Sequence, residues 1–98
     1  MELTYSRASL QDLRDIVDYI GLDKPQAALA VVDEIERVCE LIASMPGVGK
    51  PVDVPTSTEI LMHPCGKYPY RIFYTRSETH ITIQRVSHGR QDLESFWV

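Results

Sequence analysis

Tyr68–Pro69–Tyr70–Arg71–Ile72–Phe73–Tyr74–Thr75, then Arg76–Ser77–Glu78–Thr79, then His80–Ile81–Thr82–Ile83–Gln84–Arg85–Val86 is the stretch whose reading decides the fold. Both outer runs are rich in aromatic and β-branched residues, and four polar residues separate them. That pattern predicts two strands joined by a tight hairpin. Alternation places Arg71 and Phe73 on one face of the first strand and Tyr70, Ile72 and Tyr74 on the other. In the second strand it places Ile81, Ile83 and Arg85 together, with Thr82, Gln84 and Val86 opposite. Upstream, Glu59–His63 reads as a further strand. Met45–Pro46–Gly47–Val48–Gly49–Lys50–Pro51 reads as a turn-rich loop, because it cannot continue a helix.

Towards the N-terminus the period changes from two to about 3.6. Leu10, Leu13, Ile16, Val17 and Ile20 define one helical face, with Gln11, Asp12, Arg14, Asp15 and Asp18 on the other. Ser6 suits the N-cap, and Gly21 suits the stop through a left-handed conformation. A second helix is expected to start at Asp23, with Pro25 in its first turn and Gln26 completing a capping box. Ala28, Val32, Ile35, Cys39 and Ile42 form its buried stripe, broadened by Val31, Val38, Leu41 and Met45. The short connection returns it antiparallel to the first. A short opening strand, Glu2–Tyr5, precedes both. The predicted order β-α-α-β-β-β is an α+β layer structure, with a helical hairpin packed on a small antiparallel sheet.

The chain has 98 residues, 44% apolar and 24% charged, and reads as a single domain over 1–98. It carries no apolar run long enough to span a bilayer and no secretory signal pattern, so a cytoplasmic location is expected. Cys39 and Cys65 form neither a metal cluster nor a disulfide framework and are expected as reduced thiols. His63, His80 and His88 are too scattered to suggest a metal site. No phosphate-binding glycine loop or nucleophile elbow is present. The net charge is −4, which argues against non-specific nucleic-acid binding by the whole surface. Its distribution is uneven. Residues 1–62 carry 5 basic and 11 acidic side chains, whereas residues 63–90 carry Lys67, Arg71, Arg76, Arg85 and Arg90 against Glu78 alone. Trp97, close to the C-terminus, is expected to dock somewhere. Three roles are open to an arginine such as Arg71 in an apolar strand: a phosphate, a partner's carboxylate, or an internal carboxylate such as Asp92.

Several of these pieces occur in a characteristic order. They are Ala8–x–x–x–Asp12–Leu13–x–x–Ile16–x–x–Tyr19–Ile20, Pro25–x–Ala27–Ala28, Met45–Pro46–Gly47–x–Gly49, Tyr70–Arg71–Ile72–Phe73–Tyr74, and Ile83–x–Arg85–Val86–x–His88–Gly89–Arg90–x–Asp92. Together they resemble the RelE/ParE superfamily of toxins from type II toxin–antitoxin modules, over nearly the whole chain. That resemblance implies two activities: ribosome-dependent mRNA cleavage in the RelE-like branch, and poisoning of DNA gyrase in the ParE-like branch. It implies no cofactor, and neutralisation by a cognate antitoxin.

Within the resemblance, Arg71 matches a strand arginine that contacts the scissile phosphate in RelE-like nucleases. His88 lies one residue from a catalytic histidine of some members. Gln91 stands where others carry a second arginine, and Trp97 stands near a terminal tyrosine. Tryptophan cannot serve as a general acid or base. Lys50 and Lys67 are a thin substitute for the nucleases' lysine-rich loop, and the pI is about 5.2. These departures place the chain nearer the ParE branch. No catalytic residue is then expected, and Arg71, Arg85, His88, Arg90 and Trp97 become the expected target- or antitoxin-binding residues. Under a ribonuclease reading, Arg71 and His88 would be catalytic; a toxin-fold protein with another or lost target is the remaining alternative. The charge split further suggests an acidic, amphipathic antitoxin segment lying near the basic half.

Overall fold

The computed structural model describes residues 1–55 and 57–89. The elements run β1 (Glu2–Tyr5), α1 (Arg7–Gly21), α2 (Pro25–Ser44), β2 (Lys50–Val52), β3 (Ile60–Pro64), β4 (Tyr70–Arg76) and β5 (His80–His88). They form one five-stranded sheet in the order β1-β5-β4-β3-β2, with the helical hairpin against one face. The α+β class and the hairpin-on-sheet architecture agree with the sequence reading. The sheet differs from it in two respects. A short strand, β2, lies between α2 and the expected Glu59–His63 strand and pairs antiparallel with β3. The sheet is also mixed, because β1 runs parallel to β5, in register from Glu2↔His80 to Tyr5↔Ile83. A parallel pair needs a long connection, and here the whole α1–α2 hairpin and three strands intervene.

Helix α1 begins as its sequence suggests: Ser6 Oγ accepts the Ser9 N–H at 3.0 Å. Its end at Gly21 does not use a left-handed turn; among the described residues only Gly66, at φ +59°, has positive φ. The expected capping box at Asp23 is absent. Lys24 holds the N-cap of α2 without a side-chain cap bond, and Pro25 supplies the preset first turn. The main-chain bonds Lys24 N–H to Ile20 O (3.0 Å) and Ala28 N–H to Lys24 O (3.1 Å) carry the chain from one helix to the next.

The core forms where the stripe of α2 meets the sheet: Val31, Ile35, Val38, Cys39 and Ile42 pack on Leu61, Ile72, Tyr74, Ile81, Ile83 and Val86. Ile35 and Ile42 are fully buried, and truncating either to Ala would cost about 2–5 kcal/mol. Helix α1 contributes less than its periodicity suggests. Leu13, Ile16 and Ile20 pack partly against the core, while Leu10 and Val17 stay exposed. Met45, expected to broaden the stripe of α2, is also exposed. Asp12, assigned by period to the outer face of α1, is buried.

The expected alternation in β5 breaks near its middle. Arg85 lies opposite Phe73 and Ile83 opposite Tyr74, so Gln84 is an extra residue and the pair carries a bulge. The shift brings Val86 round to join Ile81 and Ile83 in the core, which simple alternation had denied it. The loop after α2 is pinned by a fully buried residue. Tyr74 Oη donates to Pro46 O and accepts from Gly49 N–H, both at 2.9 Å. A Cβ on Gly49 would sit 2.8 Å from Tyr74 Cε1, so only glycine fits this approach.

Candidate functional site

Strand β1 ends at Tyr5, three residues short of the end of the β5 edge it would need to cover to reach Val86. An uncovered edge invites pairing with other chains, and here the start of α1 covers it with side chains. Ser6 N–H donates to Ile83 O at 2.9 Å, and Ser6 Oγ donates to Gln84 O at 2.8 Å. Six residues further on, nearly two helical turns, Asp12 Oδ2 accepts the Val86 N–H at 2.9 Å. The same carboxylate receives Arg85 Nε and an Arg85 terminal nitrogen, each at 2.8 Å. Asp12 thus replaces a missing strand acceptor and holds Arg85 in a bidentate pair, with side-chain exposures of 10% and 24%.

Beside this pair, α1 and the ends of β4 and β5 bound a cleft of about 460 Å³, lined by Asp12, Asp15, Ile16, Tyr19, Tyr70, Val86 and His88. Tyr70 and His88 lie opposite each other across the strands, with ring centroids 5.5 Å apart in an edge-to-face arrangement. Burial raises the Tyr70 phenol above its ordinary pKa, with the Tyr19 and Cys65 side chains adding to the shift. Asp12 and Asp15 supply carboxylates to the lining of the cleft.

Arg71 occupies the other face of the sheet. Its neighbours Tyr70 and Ile72 alternate with it, and Ile72 belongs to the core under the helices. The Arg71 guanidinium lies 5.6 Å from the centroid of the buried Phe73 ring. The structure therefore brings His88 to the α1 cleft and Arg71 to the opposite face, one register position apart. Arg85 is engaged by Asp12. Arg90 and Trp97, and Asp92 with them, lie outside the described residues. The sequence reading missed Asp12 as a site residue; the signal lay in a carboxylate placed shortly after a helix cap, but its partner is 73 positions away.

The remaining candidates for chemistry are dispersed. His80 Nε2 lies 2.8 Å from Glu2 at the start of β5, and His63 Nδ1 lies 2.6 Å from Pro64 O on β3. Cys39 and Cys65 are buried free thiols. Burial pushes their pKa values up to about 12 and about 11, which makes them poor nucleophiles. Among the described residues there is no cluster of three or more metal-ligating side chains, and no helix is long and apolar enough to cross a membrane.

A helical hairpin on a mixed five-stranded sheet, with its charged cleft at the end of the long β4–β5 hairpin, defines a small α+β protein of the RelE/ParE-like fold. The family model for the ParE toxin of type II toxin–antitoxin system, parDE, matches residues 3–93. The chain belongs to that ParE toxin family. It is similar to a solved structure described as the chromosomal ParDE TA system from P. aeruginosa, at 25% identity and a TM-score of 0.75, covering 90% of this chain and 95% of that one. A YoeB dimer from Staphylococcus aureus shares the fold, at 18% identity and a TM-score of 0.58 over the same shares of the two chains. Among curated proteins none matches the chain.

Proposed function

We propose that this ParE-family toxin acts by binding DNA gyrase in the cytoplasm, without cutting RNA, and that a cognate antitoxin holds it in check. The observation that carries the choice is the separation of Arg71 from His88. Metal-free RNA cleavage needs a base for the 2′-hydroxyl, a cation at the pentacovalent phosphate and an acid for the leaving oxygen, all converging on one phosphate. The two residues that would divide that work face opposite sides of the sheet. The third cationic candidate, Arg85, already has a carboxylate on two of its nitrogens. The cleft containing His88 is lined by Asp15, whose charge disfavours a phosphodiester, while the charge of Asp12 is taken up by Arg85.

A toxin that acts by binding needs none of that convergence. In this reading Arg71, His88, Arg90 and Trp97 contact the target or the antitoxin, and Arg85 contributes by staying fixed to Asp12. The antitoxin assignment is supported by family membership and by similarity to a ParDE system.

A supercoiling assay with purified gyrase, titrated with the folded toxin free of antitoxin, tests the proposal. Inhibition with accumulation of cleaved DNA is the expected result. No effect at large molar excess, together with cleavage of mRNA on programmed ribosomes, would overturn it in favour of a RelE-like ribonuclease.

A further inference from the structure

The sheet has a second face, turned away from the helical hairpin. Leu61, Ile72 and Val86 point into the core under the helices. Alternation and register therefore assign Ile60 and Met62 of β3, Arg71 and Phe73 of β4, and Ser87 of β5 to the outer face. A sheet face that carries no second layer leaves its side chains open to water. This one does not. Phe73 and Ser87 are fully buried, and Ile60 keeps 3% of its surface. The Arg71 side chain lies over the Phe73 ring, and its own Nε is buried in turn. The helices are on the opposite side, and the loop before β3 is exposed from Ser57 to Glu59.

The segment 90–98 follows directly on Gly89. The Gly89 N–H donates to Pro69 O at 2.7 Å, which fixes the chain at the end of the sheet next to the Arg71–Ser87 pair. Nine residues reach about 30 Å when extended, against about 19 Å across five strands. Their sequence, Arg90–Gln91–Asp92–Leu93–Glu94–Ser95–Phe96–Trp97–Val98, combines carboxylates with large apolar side chains. A buried guanidinium requires an opposite charge, and a buried aromatic face requires apolar contact.

We infer that residues 90–98 turn back at Gly89 and lie across the outer face as a strap, with Asp92 on the Arg71 guanidinium and Phe96 and Trp97 over Phe73, Met62 and Ile60. Asp92 is the first carboxylate after the turn and stands within reach of Arg71 from there. The inference goes beyond the gyrase reading and does not depend on it. It changes the availability of two residues assigned to partners: Arg71 and Trp97 meet a target or an antitoxin only when the strap is lifted. Binding at this face is then gated by the toxin's own residues.

Trp97 is the single tryptophan of the chain, so fluorescence of the full-length toxin reports on the strap directly. Native emission is expected to be blue-shifted from that of the urea-unfolded chain, with several-fold weaker quenching by acrylamide. NMR should show Overhauser contacts from the Phe96 or Trp97 ring to Phe73, Met62 or Ile60. Met62→Glu sets a carboxylate under the strap and should restore most of the quenching seen in urea. Leu29→Glu, in the apolar groove of the helical hairpin, should leave it unchanged. Asp92→Asn should speed hydrogen exchange at Arg71 Nε by about tenfold; unchanged exchange would overturn the Asp92 assignment. Quenching as free as in urea, Overhauser contacts to the helical hairpin instead, or protection found only at concentrations where the toxin dimerises would overturn the strap. The wild-type Overhauser contacts decide the matter even where Met62→Glu fails to fold. Gyrase inhibition with an exposed Trp97 removes the strap alone, and a docked Trp97 without gyrase inhibition removes the target reading alone.

Discussion

Removing the Asp12 carboxylate should be among the most damaging single changes outside the apolar core. Its two oxygens accept three hydrogen bonds: two from Arg85 at 2.8 Å and one from Val86 N–H at 2.9 Å. Asp12→Ala leaves the Val86 N–H buried and unmatched, and leaves a guanidinium without its counter-charge. Breaking a fully buried pair costs about 3–5 kcal/mol. Arg85 retains 24% side-chain exposure, so water recovers part of this, and about 3 kcal/mol is the working figure. For a domain of this size that lowers Tm by about 12–24 °C, and the roughly 3 kcal/mol is a large part of a total stability of about 5–15 kcal/mol. Asp12→Asn keeps one acceptor oxygen and should fall between Ala and wild type. Arg85→Met removes only the cation, so the Val86 bond survives. The double variant Asp12→Ala/Arg85→Met removes both charges together and should cost less than the sum of the two single changes. Urea denaturation of wild type, Asp12→Ala, Arg85→Met and the double variant gives the coupling energy directly. Additive single effects, or an Asp12→Ala cost below about 0.5 kcal/mol, would refute the claim that this carboxylate closes the sheet edge.

Other expectations follow from the packing and the titration of buried groups. Gly49→Ala should destabilise by about 1–3 kcal/mol, read from the urea midpoint, because the new methyl displaces the Tyr74 ring that pins the loop. Ser87 Oγ is buried with no hydrogen-bond partner among the described residues, so Ser87→Ala should leave Tm unchanged or raise it. Burial raises the thiol of Cys39 from an ordinary value of 9.0 to about 12. The folded protein then holds a proton that the unfolded chain releases, so this contribution to stability is complete below about pH 9 and is lost as pH rises towards 12. A melting series from neutral to strongly alkaline pH checks the sign; rising stability over that interval would contradict it. Cys39 and Cys65 should also resist iodoacetamide at pH 8 until urea unfolds the chain, which mass spectrometry resolves.

The parts of the fold that could be read from sequence are those governed by local chemistry. Ser6 caps α1, the opening strand occupies Glu2–Tyr5, and the Ser77 turn joins the two long strands because each depends on residues a few positions apart. Strand β2 escaped notice because it has three residues, one of them Pro51, and lies at an edge of the sheet. Proline is tolerated there, and so short a run has no detectable period. The β5 bulge was illegible because it depends on pairing with β4; the sequence of one strand contains no record of an unmatched residue. Asp12 was misplaced for a related reason. Periodicity assigns a charged residue to the solvent side of a helix, and only the tertiary meeting of α1 with β5 supplies the arginine and main-chain donor that make its burial favourable. The same event decides the accessible state of Arg85, so a site inferred from strand arginines alone included a residue that is internally engaged.

The charge split acquires a different meaning once these partners are known. The sequence suggested an acidic first half and a basic second half, each available to a partner. Part of the positive charge is used inside the toxin: Arg85 is held by Asp12, and Arg76 stands 4.0 Å from Glu59. On α1 the three aspartates at positions 12, 15 and 18 step around the helix by about 60° at a time. The first turns inward and closes the sheet, while the other two edge the apolar groove. One residue type, repeated every three positions, therefore closes the sheet edge at one end of the series and borders an exposed apolar groove at the other. The two settings are separable: a neutral residue at Asp12 should weaken the fold, whereas neutral residues at Asp15 and Asp18 should leave the Tm within about 2 °C of wild type. A melting curve of D15N/D18N that falls as far as that of Asp12→Ala would show that all three carboxylates serve the fold, and would refute the distinction drawn from the Asp12–Arg85 pair.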